Sequence, residues 1–151
     1  MQATYEDANL ILKLYELRRD ETLRKARAWF GQQFKATTAE EMIQKYPMGS
    51  QESTNIRMVI GYWDMACSLV TAGVLNQELF FESNGEMLVV WEKLRSLIPG
   101  FRQFTGNPKS LSNLEKVGAA FIEHMKSQGP KAYEAFQAML ANMAASSSPQ
   151  S

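Results

Sequence analysis

Cysteine and histidine are almost missing from this 151-residue chain, where Cys67 and His124 each stand alone. A single cysteine forms no intrachain disulfide and builds no cysteine-rich zinc module. His124, in the string FIEHMK, lacks the second histidine of a metalloprotease helix. Surplus charge is absent too: sixteen basic residues face sixteen acidic ones. No overall field therefore draws the chain to nucleic acid or an anionic membrane, and no nucleic-acid partner is expected. Long apolar runs are lacking as well. Arg57 and Asp64 interrupt the best candidate, and a bilayer span needs roughly 18 uninterrupted residues. The N-terminal stretch has no basic, apolar and small-residue succession of a signal peptide. A soluble cytoplasmic protein with no transmembrane segment is the expectation. No phosphate-binding loop, dinucleotide fingerprint or serine elbow is found. The sequence thus assigns no catalytic, cofactor-binding or metal-ligating residue.

What is present is apolar and helical. Apolar residues make up 45% of the chain, enough for a core in one domain of this length. The segment 55–72, NIRMVIGYWDMACSLVTA, is apolar around most of a helical circumference. At 3.6 residues per turn, Ile56, Val59, Ile60, Trp63, Cys67 and Val70 form one strip. Met58, Tyr62, Met65, Leu69 and Ala72 form a second beside it. This helix is expected at the centre of the fold, with Cys67 a core thiol. The remaining strip holds Arg57, Gly61, Asp64, Ser68 and Thr71 and has two readings. Facing water, Arg57 and Asp64 are ordinary surface charges. Facing a neighbouring helix, Asp64 requires a basic or hydrogen-bonding partner.

Upstream, Thr4 and Asp7 mark a helix start. Apolar residues from Tyr5 through Ile11, Leu12 and Tyr15 to Leu23, Ala26, Phe30 and Phe34 predict one long helix with one packed face, interrupted near Arg19. Asp20 with Arg24 and Glu21 with Lys25 have the spacing of surface ion pairs. The arginines and lysines between positions 18 and 27 are interleaved with acids, as on a solvated face. Thr38 and Glu41 predict a capping box for a short helix that stops at Pro47 and Gly49, and Asn76 predicts the cap of another.

The spacing of Met87, Leu88, Val90, Trp91, Leu94 and Ile98 predicts a helix over 86–98, ended by Pro99 and Gly100. The stretch PGFRQFTGNPKS then reads as the longest irregular loop, exposing Phe101, Arg102 and Phe104. Ser112 and Glu115 predict a capping box for the next helix. Gly129 and Pro130 break it, with Pro130 in the first turn of a last helix whose contact face holds Tyr133, Phe136, Gln137 and Leu140. The whole reads as all-α: a single compact helical bundle over 1–145, with about five to six helices and short connecting helices, followed by a disordered polar tail at 146–151.

The strings YEDANLILKLYELRRDETLRKARAWF and RMVIGYWDMACSLVTAGVLNQELFF resemble uncharacterised bacterial helical domains with an amphipathic first helix and a central aromatic-acidic helix. The resemblance covers residues 5–81, rests most on Tyr62, Trp63, Asp64, Gly73 and Leu75, and transfers no catalytic role. The leading expectation is a noncatalytic interaction domain that meets a protein partner or self-associates as a homodimer. Aromatic and methionine residues also suit a sensor for a small hydrophobic molecule. An enzyme with acids assembled in space is the third reading. Arg57, Tyr62, Trp63, Asp64, Phe101, Arg102 and Phe104 are the candidate contact residues.

Overall fold

The computed structural model describes residues 1–146, so of the tail expected at 146–151 only Ser146 is described, as the last residue of a helix, and 147–151 lie outside the described residues. The described residues are all-α. Their helices are α1 (Tyr5–Arg18), α2 (Glu21–Gln33), α3 (Ala39–Lys45), α4 (Gln51–Thr71), α5 (Gln77–Ser83), α6 (Glu86–Leu94), α7 (Ile98–Thr105), α8 (Ser112–Gln128) and α9 (Ala132–Ser146). A 3-10 turn, Arg95–Leu97, joins α6 to α7 without a gap. Counting α6 and α7 as one bent rod leaves eight helices, still more than the five to six expected. Two departures from the expected elements are plain, each with its own source: one expected helix is two, and one expected loop is a helix.

The first source is Asp20. Instead of pairing with Arg24, its carboxylate accepts the Leu23 amide at 3.0 Å and caps α2. An N-cap residue is non-helical by nature, so the helix is interrupted there. The break also resets the helical phase. On α1 the core-facing residues are Leu14 and Arg18, with Leu10 and Ile11 against them, while Tyr5, Leu12 and Tyr15 are exposed. On α2 they are Leu23, Ala26 and Phe30. Glu21 does pair with Lys25, at 3.1 Å on the open surface.

The second source is Pro99. It occupies the first turn of α7, where its lack of an amide hydrogen costs little and its fixed φ favours the helix. Gly106, at φ +69°, ends α7 in the left-handed conformation that glycine tolerates best.

The central helix α4 packs between α2 and α8. It buries Ile56, Val59, Ile60, Trp63, Cys67 and Val70 from the first apolar strip, and Tyr62 from the second. Met65 and Ala72 of the second strip stay exposed. A large apolar side chain contributes about 1.5–3 kcal/mol when fully buried, so this helix is the main anchor of the core. α8 also touches α6 and α9, while α3 lies on α7. Trp91 of α6 lies flat against Gly118 of α8, where a β-carbon would stand 2.6–2.8 Å from the indole. The final helix α9 buries no residue fully; Tyr133 and Phe136 rest on the core half-covered, Gln137 is exposed, and Pro130 precedes the first turn instead of joining it.

Candidate functional site

The seven candidate residues separate into three places. Tyr62 and Trp63 belong to the interior. The α1–α2 break turns Arg18 inward, where its Nη1 donates to the Tyr62 hydroxyl at 3.2 Å and to Asn84 Oδ1. Its guanidinium sits 5.2 Å from the centre of the Trp63 ring. Tyr62 in turn donates to the Leu14 carbonyl at 2.7 Å. Burial raises the Tyr62 pKa, with the Arg18 charge opposing it. Arg18 is thus a buried cation held by aromatic faces and neutral oxygens, joining α1, α4 and α5. Trp63 is fully buried, and its role is packing.

Asp64 and Arg102 are committed to helix ends and turns. Asp64 Oδ1 accepts the Leu114 amide at 3.2 Å, so the C-terminal part of the polar strip faces α8, while Arg57 and Gly61 are exposed on the side of α3 and α7. Thr71 meets Asn113 of α8 at 2.6 Å in the same strip. The expected Ser112–Glu115 capping box is not formed: α8 starts at Ser112 with Leu111 as its N-cap, in a left-handed conformation at φ +59° and with no capping side chain. Glu115 instead pairs with Arg102 at 3.0 Å, and Arg102 also donates to the Ser110 carbonyl at 3.1 Å. Both groups are therefore spent on positioning α7 against the start of α8.

Arg57, Phe101 and Phe104 do converge. They line an apolar groove of about 330 Å³ between α3, α4 and α7. Ile56, Ile60 and Gly61 form its floor with Ala39 and Met42, and Ile43, Tyr46 and Met48 complete the wall. The α3 residues follow helical spacing, at 39, 42, 43 and 46, so one face of that short helix points into the groove. Three large apolar side chains on its edge remain exposed: Met48 at 81%, Phe104 at 69% and Ile43 at 41%. Arg57 has no ion pair among the described residues. Sequence reading missed Ile43 and Met48, although the stripe of α3 was legible as an apolar face with no assigned neighbour.

Of the two acids on α3, Glu41 is held elsewhere, whereas Glu40 has no ion pair among the described residues. Glu41 accepts from the Thr37 amide and hydroxyl and from Lys45, and these contacts, Lys45 foremost, keep its pKa down at about 2. Among the described residues no three histidine, cysteine or acidic side chains gather as a metal site would require, and no helix is long and apolar enough to cross a membrane.

The family described as Domain of unknown function (DUF4760) matches residues 3–120. The chain belongs to that family. The match takes in α1 to α7 and the first half of α8, and therefore every residue lining the groove. No curated protein matches the chain. No solved structure matches it either.

Proposed function

We propose that this DUF4760 domain is a noncatalytic interaction module that self-associates through the groove between α3, α4 and α7. The observation that carries this reading is the unpaired Arg57 beside exposed Met48, Phe104 and Ile43. A two-fold interface is self-complementary, so the patch must supply both partners of any charge pair. Glu40, exposed on α3 next to the groove residue Ala39 and without an ion pair among the described residues, supplies the acid for a second copy's Arg57. The required area is modest. About 800 Å² per partner makes a standard interface, against a total surface of 9272 Å². Exposed methionine, phenylalanine and arginine match the residue types enriched in such contacts. The reading includes a bacterial cytoplasmic setting, supported by the single free, buried cysteine.

Sedimentation velocity and native mass spectrometry over a concentration series test the proposal. The native chain is expected to dimerise, Arg57→Glu and Glu40→Arg each to weaken the dimer about tenfold, and the double exchange to restore it. A monomer at every concentration, or single exchanges without effect, would overturn it. A second reading is favoured by the groove's volume, which falls within the range of small-molecule pockets. A monomer carrying a reproducible added mass that Arg57→Glu abolishes would replace self-association with capture of an amphipathic acid.

A further inference from the structure

A second concavity, of about 490 Å³, opens where α9 leans over the end of α2, the segment after it and α6. Phe34, Ala36, Leu140 and Met143 give it apolar walls, and Lys93 of α6 brings an ammonium into it. The charge balance there is uneven. Of the two carboxylates in the wall, Glu41 is occupied by Thr37 and Lys45, and Glu92 by the Tyr133 hydroxyl and by Arg95 at 3.2 Å. Among the described residues Lys93 has no carboxylate within pairing distance; its Nζ donates to the Phe34 carbonyl at 3.3 Å and lies 6.0 Å from the Phe30 ring centre. Lys35 lines the same space, and its positive charge, after burial, contributes to lowering the Lys93 pKa. A half-buried ammonium with neutral oxygen and aromatic neighbours leaves the negative partner to come from outside.

The geometry points to a binding site for a small organic carboxylate with an apolar body, its carboxylate on Lys93 and its chain against Phe34, Leu140 and Met143. A hydrogen bond between two ionised groups is among the stronger polar contacts, and partial burial limits its screening. The apolar walls select a carbon chain over an inorganic anion. This site is independent of the groove, which it adjoins only through α3, and its proposal does not rest on self-association.

Hexanoate and hexanol, titrated into the full chain and followed by backbone amide shifts, test the assignment. Hexanoate is expected to give saturable shifts at Ser96, Leu140 and Ala141, with hexanol about tenfold weaker. Lys93→Met should weaken hexanoate to the level of hexanol, while Lys93→Arg should retain the preference for the acid. Lys93→Met replaces a half-buried cation with an apolar chain of similar length, so it is expected to fold, which its unperturbed spectrum would verify. Equal affinity for acid and alcohol, an undiminished affinity in Lys93→Met, or no saturable shifts in the native chain would each overturn the site.

Discussion

Asp64 on α4 accepts the backbone amide of Leu114, fifty positions further along the chain, and so acts as the N-terminal cap that α8 lacks locally. Its position matters because Leu111 offers no side-chain oxygen to the first turn of α8. Asp64→Ala is expected to destabilise the fold by about 1 kcal/mol, the usual magnitude for a lost cap. Urea denaturation reads the loss. Hydrogen exchange should locate it, with the Leu114 amide losing protection before the middle of α8; unchanged protection there would contradict the capping role.

Gly118 predicts a larger effect. A β-carbon at this position falls 2.6 Å from Trp91 Cγ, and the indole is held by the core around it. Gly118→Ala should therefore lower stability by about 1–3 kcal/mol through overpacking, although alanine is the better helix former. Near-ultraviolet circular dichroism should change with it as the indole shifts.

Acid should loosen two local links. The Asp7 pKa is lowered from 3.8, mainly by accepting the Thr4 amide and then the Asn76 amide, which ties α1 to the start of α5. Glu41 is lowered from 4.5 to about 2. Carboxylates whose folded pKa lies below the unfolded value bind fewer protons in the folded state, so their stabilisation is complete above the unfolded pKa and fades as pH falls through the folded one. Thermal midpoints should accordingly decline from pH 4.5 towards about 2. In an Asp7→Asn, Glu41→Gln double variant the midpoint should start lower and decline less over that interval.

Cys67 should be chemically silent in the folded protein. Its side chain is fully buried on α4, and burial, with some help from the Asp64 charge, pushes its thiol pKa far above the ordinary value. A thiol-titrating disulfide reagent at pH 8 should give no reaction with native protein and one equivalent in strong denaturant.

The parts of the fold that depend on neighbouring residues could be read from the sequence. Thr4, Thr38 and Asn76 cap helices within three positions of the amides they accept, and the apolar strip from Ile56 to Val70 is covered as its periodicity requires. Two local signals carried competing meanings. Asp20 has the spacing of an ion pair and of an N-cap, and the cap is what forms; Pro99 suits a helix end and a helix start, and it starts α7. The bond from Asp64 to Leu114 and the inward turn of Arg18 have no local signature, since each joins segments more than forty positions apart. The groove brings together Arg57, Phe101 and Phe104 for a similar reason, because α3 and α7 meet across the end of α4 only in three dimensions. Lys93 carried an unused hint: a lysine set between Trp91 and Leu94 in the most apolar short helix.

The two sites differ in what they need from α9. Every groove residue lies inside the 3–120 span shared with the family, whereas the Lys93 concavity borrows one wall from Ala132–Ser146, beyond that span. α9 inserts no fully buried side chain into the layer of α2, α4 and α8; it rests on α8 through half-covered Tyr133 and Phe136. Loss of α9 would therefore open the wall facing Lys93 and leave every residue lining the groove in place.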